Sequence, residues 1–129
     1  MDIKEKMLES KTWAVVGVSS KKDKWGYKIW KILKEHGYKT YGVNPNYDEI
    51  EGDKIYKSLS DIPEKVEVID MVVPKSVSIT TLREAKDLGI ENIFIQPGTY
   101  DSKIVVEADR LGLKYLLDDC IYATLKRME

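Results

Sequence analysis

Histidine and cysteine are nearly missing from this sequence, which has one of each among its 129 residues. A single cysteine, Cys120, cannot form a disulfide within the chain, and it fits a reducing compartment. With His36 as the only imidazole, the sequence offers no Cys/His cluster for a metal ion. Catalysis by a Ser-His or Cys-His pair has equally little to draw on, so enzymes of that kind are disfavoured.

Long apolar runs and an excess of charge of either sign are also missing. No run approaches the length of a membrane span, and residues 1–10 are too charged for a signal peptide. The 21 basic and 22 acidic residues leave a net charge of −1, which argues against general binding to nucleic acid or to a membrane surface. Any basic site must therefore be local. We expect a soluble, cytoplasmic protein with a single domain over residues 1–129, and its oligomeric state stays open.

What the sequence does contain is an alternation of apolar and amphipathic segments along nearly the whole chain. This pattern predicts strands at residues 12–18, 38–43, 66–73, 92–96 and 113–117. It predicts helices at residues 2–9, 25–36, 76–88 and 101–111, with a short helix after residue 117. Residues 46–57 are interpreted as a polar loop, and residues 59–62 as one helical turn.

Strands that alternate with helices predict an α/β fold, namely a three-layer, doubly wound parallel sheet of five strands joined by right-handed crossovers. We expect the Rossmann-like strand order 3-2-1-4-5, because a glycine turn follows the first strand, as in nucleotide binders. The flavodoxin-like order 2-1-3-4-5 would give a similar series of elements. In either order the carboxyl ends of the strands meet at one edge of the sheet, which is where ligands bind.

The turn after the first strand carries the clearest chemical signal. Gly17 would let backbone amides approach a ligand, and Ser19 and Ser20 would add hydroxyl donors. The following helix begins near Trp25, and a helix N-terminus favours negative charge. Three lysines stand close by: Lys21, Lys22 and Lys24. The unit predicts a phosphate site, although a Gly-x-Ser after a strand can also be an ordinary tight turn.

Prolines and polar residues follow the other strands at the same predicted edge. Those residues are Asn44 and Pro45 after the second strand, Pro74 and Lys75 after the third, and Gln96, Pro97 and Gly98 after the fourth. Three of the four prolines of the chain lie here. Each one alone is explained as a residue that stops a strand. Together they predict a rigid cleft that is apolar enough for an adenine.

The end of the second strand argues against ordinary NAD binding. An NAD site usually has an Asp or Glu there for the ribose hydroxyl, whereas this chain has Val43-Asn44-Pro45. The glycine pattern also departs from the NAD fingerprint, because residue 19 is Ser and the next glycine is Gly26. An adenosine ligand with an extra phosphate would need no acid at this position and would favour nearby lysines.

Several short motifs resemble a known family over residues 11–122. They are Gly17-Val-Ser19, His36-Gly37-Tyr38, Val43-Asn44-Pro45, Ile50-Glu-Gly52, Val73-Pro74, Gln96-Pro97-Gly98 and Asp119-Cys120. On these motifs the sequence resembles the CoA-binding domain proteins. These are small single-domain Rossmann-like proteins related to the CoA-binding domain of succinyl-CoA synthetase α subunits.

The resemblance implies a site for coenzyme A or an acyl-CoA. It puts the pyrophosphate at Gly17, Val18, Ser19 and Ser20, with Lys21, Lys22 or Lys24 near the phosphates. It puts the adenosine beside Asn44 and Pro45, with Val73, Pro74 and Lys75 on the other side of the cleft. Gln96, Pro97 and Gly98 would lie along the pantetheine arm, and Trp25 is near enough to the turn to touch the ligand.

The predicted function leans towards a binding module rather than an enzyme. The succinyl-CoA synthetase relatives need a phosphorylated histidine and further domains. We expect Cys120 to be a buried, inert thiol rather than a nucleophile or a partner of the CoA thiol. One alternative is an NADP-type dinucleotide-binding oxidoreductase that uses the lysines for its extra phosphate, although the length leaves no second, substrate-binding region. The other is a regulatory or scaffold domain that has lost its ligand.

Overall fold

One sheet of seven strands lies between two helical layers in the computed structural model, which describes residues 2–129. The strands are β1 (Thr12–Val16), β2 (Lys39–Val43), β3 (Glu49–Ile50), β4 (Asp53–Tyr56), β5 (Val68–Met71), β6 (Asn92–Ile95) and β7 (Lys114–Leu116). The helices are α1 (Ile3–Glu9), α2 (Trp25–Glu35), α3 (Lys75–Asp87), α4 (Ser102–Arg110) and α5 (Ile121–Arg127), with a 3-10 turn at Leu59–Asp61. The predicted strands and helices are all present, and their ends agree within two residues.

The strand order is β3-β4-β2-β1-β5-β6-β7, and the predicted count of five strands is wrong. All pairs are parallel except β3 with β4. The strand predicted as the third, now β5, lies beside β1 and not beside β2. The outer position next to β2 belongs to β4, so that the six parallel strands follow the order 3-2-1-4-5-6. This is the Rossmann order, reached with a strand that the sequence did not reveal.

The missed strands form a hairpin within residues 46–57, which were predicted to be a loop. Glu51 and Gly52 connect β3 to β4, with φ angles of 51° and 86°. Positive φ at both positions is the signature of the tight hairpin turn that follows the twist of the sheet. Only Ile50 and Ile55 of the hairpin are fully buried, at 3% exposure each. The hairpin lies at the edge of the sheet, where charged side chains are tolerated, so its strands lack the apolar run of a central strand.

The sheet separates two apolar cores, because successive side chains of a strand point to opposite faces. On β1, Trp13 and Val15 pack in the core under α1, α2 and α5. Ala14 and Val16 of the same strand pack in the core under α3 and α4. This arrangement confirms the doubly wound, three-layer architecture. Within residues 2–129, none of the helices has both the length and the apolar character that a transmembrane span requires.

The chain reverses direction across the sheet between β1 and β5. The connection from β1 runs through α2 to β2 on one side, whereas β5 continues through α3 to β6 on the other. The loops that leave the carboxyl ends of β1 and β5 therefore diverge and leave a crevice between them. The residues at this point are Gly17 after β1 and Val72, Val73 and Pro74 after β5.

Candidate functional site

A cleft of about 740 Å³ opens at this point, between α3 and the loops that follow β1, β2 and β4. Its apolar lining comes from Val16, Val43, Pro45, Val72, Val73, Pro74 and Val77, and its polar lining includes Gly17, Asn44, Lys57, Ser58, Thr80, Arg83, Glu84 and Asp87. Two other cavities, of about 360 and 230 Å³, lie away from this edge of the sheet. A largely apolar cleft of this size matches the dimensions of cofactor sites.

Gly17 forms the innermost part of the turn after β1, and only glycine fits there. Its φ angle is +103°, and a Cβ would overlap the carbonyl oxygen of Val72. The Gly17 amide donates to the carbonyl of Val43 over 2.9 Å, and the Val72 amide donates to Val16 over 2.8 Å. These two hydrogen bonds hold the turn against both neighbouring strands. The backbone then continues from Gly17, which lines the cleft.

Gly26, in the first turn of α2, has a role that the sequence analysis missed. A Cβ at this position would overlap the carbonyl oxygen of Gly17. The helix can lie directly on the turn only because residue 26 has no side chain. In dinucleotide-binding folds the last glycine of the fingerprint has this packing role. The spacing in this chain is longer, so that a search for the usual glycine spacing does not find it.

The segment after Gly17 presents backbone amides that are not used within the fold. Within residues 2–129 the N–H groups of Val18 and Ser19 have no hydrogen-bond acceptor, whereas the Ser20 N–H is directed at the Tyr47 hydroxyl. The Val18 side chain is fully buried, which fixes this part of the segment. The Ser19 hydroxyl accepts from the Lys21 amide over 3.1 Å, and this bond keeps the segment curved. Successive free amides in a curved segment make a concave site for an anion.

The three loop lysines surround these amides with positive charge. Lys21, Lys22 and Lys24 are exposed, and none of them forms an ion pair within the part of the chain that the structure describes. Trp25 follows them and is 52% exposed, with its ring edge-on to Tyr122. These side chains do not belong to the cleft lining, which the turn after β1 enters only at Gly17.

Asn44 joins the loop after β2 to the turn after β1. Its side-chain amide donates to the carbonyl of Val18 over 2.9 Å, and its side-chain oxygen accepts from the Asn46 amide over 2.9 Å. With both ends of its side chain in use, Asn44 supports the cleft. Of the two residues predicted to contact an adenosine, Pro45 is the one that is exposed on the cleft wall.

Lys57 is a cation on the cleft wall that the sequence analysis did not find. It follows β4, and its ammonium group contacts the carbonyls of Pro45 at 3.1 Å and Tyr47 at 3.3 Å. Lys57 stands directly after a parallel strand, at the edge of the sheet where ligands bind. Because residues 46–57 were interpreted as a loop, the carboxyl end of β4 was overlooked.

The predictions for the far side of the edge agree less well with the structure. Gln96 is 4% exposed, and its side-chain amide donates to Asp70 over 2.8 Å, so this amide is not free for a ligand. Burial raises the pKa of Asp70 well above its ordinary range. Lys75, Pro97 and Gly98 are exposed and lie outside the cleft lining. Cys120 is partly exposed, not buried as predicted.

The comparison with known families decides the assignment. The model of the CoA binding domain matches residues 11–126. The chain belongs to this family. The assignment confirms the resemblance that the Gly17-Val-Ser19 and Val43-Asn44-Pro45 motifs predicted. The match covers the whole sheet, from β1 to β7.

The relatives differ widely in length. The α subunit of ADP-forming acetate–CoA ligase II from Pyrococcus furiosus is 34% identical over 119 residues, which are 84% of this chain and 26% of that protein. The uncharacterised protein YneT of Bacillus subtilis is 26% identical over 120 residues, which are 93% and 89% of the two chains. The chain thus spans about a quarter or less of the acetate–CoA ligases that it matches first.

Solved structures support the same fold. A hypothetical protein from Pyrococcus horikoshii OT3 superposes with a TM-score of 0.89 at 35% identity, over 98% of this chain and 89% of that chain. The agreement extends over nearly the whole length of both proteins. The arrangement of strands and helices is therefore shared, including the edge of the sheet on which the cleft opens.

Proposed function

We propose that the protein binds coenzyme A, with the pyrophosphate of CoA on the segment from Gly17 to Ser20. The observation that carries this proposal is the pair of successive free amides at Val18 and Ser19, which directly follow Gly17 of the cleft lining. Backbone amides bind phosphate oxygens without a charged side chain at close range. The loop lysines add attraction for an anion that arrives from solvent.

The walls of the cleft fit the other part of the ligand. Pro45, Val73, Pro74 and Val77 offer flat, apolar contacts on two facing sides. An adenine has apolar faces and a polar edge, so it gains from burial between such walls while its ribose and phosphates remain at the mouth. We propose that Pro45 and Val77 pack on the two faces of the base.

We infer a binding role without catalysis for residues 2–129. The single histidine, His36, is hydrogen-bonded to Glu129 over 3.1 Å at the C-terminal end of α2, on the opposite edge of the sheet from the cleft. The matched ligases are named for a reaction of acetate and CoA, and this chain covers only a minor part of their length. The similarity to these ligases therefore supports the proposal that the chain recognises CoA.

The proposal is tested by ligand-dependent melting. The purified protein is equilibrated in turn with CoA, NADP and ATP, and the melting temperature is recorded for each. We expect stabilisation by CoA, which grows with concentration because the ligand binds the folded state. Stabilisation by NADP alone would favour the oxidoreductase hypothesis. A chain that responds to none of the three would match a domain that has lost its ligand.

Charge variants then examine the loop lysines. Replacing Lys21, Lys22 and Lys24 by Ser removes three positive charges beside the free amides and should weaken CoA binding, most strongly at low salt. The matched control replaces Lys11, Lys86 and Lys103, which are exposed lysines outside the cleft, and removes the same net charge. Equal loss of affinity in both triple variants would show that the attraction is only a property of the total charge.

A further inference from the structure

Four charged side chains line the cleft, three of them on α3, and within residues 2–129 only the two cations among them form ion pairs. Lys57 pairs with Asp48 at 3.0 Å, and Arg83 pairs with Glu107 at 2.6 Å. Glu84 and Asp87, both on α3, form no ion pair within residues 2–129. The charge without an ion-pair partner is therefore negative on the α3 side of the cleft. It is positive at the loop lysines that follow β1.

Glu84 is the more enclosed of the two acids. It is half-buried, and its hydrogen bond within the described chain comes from the Ser60 amide, at a long 3.4 Å. This contact involves one carboxylate oxygen, so the other is left for a further donor. A carboxylate in this position repels phosphate. It requires a ligand whose inner end donates hydrogen bonds and carries no negative charge.

The position of Glu84 along α3 indicates which part of the ligand comes near. It lies nine residues beyond Lys75, the first residue of the helix, which is about 13 Å along the axis at 1.5 Å per residue. Val77 lies between them on the same helix, and Gly17, which the free amides of Val18 and Ser19 follow, lines the cleft as well. A ligand held by its phosphates at the mouth therefore brings its base, and not a phosphate, towards Glu84.

We infer that Glu84 reads the exocyclic amine of the adenine, and so makes the cleft selective for an adenine nucleotide. The inference rests on the proposed function, since it takes CoA as the ligand and assigns its orientation. The amine is a neutral donor that an ionised carboxylate accepts well. Hypoxanthine has a carbonyl oxygen in place of the amine, and two acceptors would then face each other with no proton between them.

The test compares CoA with its deaminated analogue, in which hypoxanthine replaces adenine and the phosphates are unchanged. Affinities for both are measured by titration calorimetry with the wild-type chain, Glu84→Gln and the control Glu35→Gln. The wild type should favour CoA by about tenfold or more, as for loss of a hydrogen bond to a charged group. In Glu84→Gln the preference should collapse, because an amide can turn to donate to the carbonyl of hypoxanthine.

Glu35→Gln is the matched control, because it makes the same substitution at an exposed acid of α2 that lies outside the cleft lining, and it should leave the preference unchanged. Equal affinity of the wild type for CoA and its analogue would overturn the inference while leaving CoA binding intact. A full preference retained in Glu84→Gln would overturn it as well. A wild-type chain that binds neither compound would instead refute the proposed function, and the inference with it.

Discussion

The side-chain amide of Asn44 donates a hydrogen bond to the carbonyl oxygen of Val18 over 2.9 Å, and so joins the loop after β2 to the turn after β1. Both segments border the cleft, and neither belongs to a helix or strand. Their separation would otherwise depend on the strands beneath them alone. The bond fixes the width of the mouth before any ligand arrives, which reduces the ordering cost of binding.

Replacing Asn44 by Ala should destabilise the protein by about 1–2 kcal/mol, because two side-chain hydrogen bonds are lost and the Val18 carbonyl is left without its donor. It should also weaken CoA binding, since the two loops are no longer held together. Urea denaturation and calorimetry measure the two effects. Ser102→Ala is the control, since the Ser102 side chain is exposed, makes no hydrogen bond within residues 2–129 and lies outside the cleft lining. If Asn44→Ala binds CoA as tightly as the wild type, the bond does not shape the site.

Gly26→Ala should be destabilising, although Ala ordinarily stabilises a helix relative to Gly. The added methyl group would overlap the carbonyl oxygen of Gly17 and force α2 away from the turn. We expect a loss of about 1–3 kcal/mol in the free energy of unfolding, as for other overpacked sites. Glu35→Ala, on the exposed end of the same helix, should change stability by only a few tenths of a kcal/mol. A gain in stability for Gly26→Ala would contradict the close packing.

Asp70 should make the protein less stable as the pH rises. Burial raises the pKa of Asp70 in the folded state above the ordinary value of 3.8. A raised pKa contributes stability that is fully present below the unfolded value and is lost as pH rises through the folded value. Asp70→Asn keeps the shape and the acceptor for Gln96 but cannot ionise. Urea denaturation from pH 4 to pH 8 should therefore show the wild type losing stability relative to Asp70→Asn; parallel curves would mean that Asp70 does not titrate in this range.

Glu107 should have the opposite pH dependence. It accepts hydrogen bonds from Arg83 on α3 and Arg110 on α4, which lower its pKa to about 2. A lowered pKa contributes stability that is present above the unfolded value and is lost as the pH falls through the folded value. Glu107→Gln should be less stable than the wild type near pH 7, and the two should converge as the pH falls towards 2. A difference that persists unchanged in acid would mean that lost packing, and not the charge, is the cause.

The sequence could predict the central part of the fold because that part follows local rules. Buried strands such as Val68–Met71 are continuous apolar runs, and glycines end the helices next to them. The edge hairpin does not follow these local rules, because two of the four residues of β4 are charged. The position of β4 in the sheet depends on its pairing with β2, which is distant in sequence. The strand order depends on that pairing, so the order was assigned to the wrong strand even though the Rossmann class was right.

The candidate site could be predicted where it depends on the carboxyl ends of recognised strands. Gly17, Pro45, Val73 and Pro74 were found by that rule, and they do line the cleft. Residues on the inner face of α3, such as Glu84, could not be found, because they lie more than two turns beyond the end of a strand. Gln96 follows a strand but turns inward to Asp70, and no local pattern distinguishes an inward from an outward side chain at that position.

The contact between Gly17 and Gly26 has a consequence for how this protein can be altered. The chain leaves the sheet at Gly17, and α2 packs back onto Gly17 at Gly26. The residues between the two glycines therefore form a loop whose ends are held together. Exposed residues such as Lys22 make no contact that the rest of the fold needs. The exposed residues 21–24 can therefore be exchanged to alter the preference for phosphorylated ligands, whereas Val18 must be kept because it is buried and bonded to Asn44.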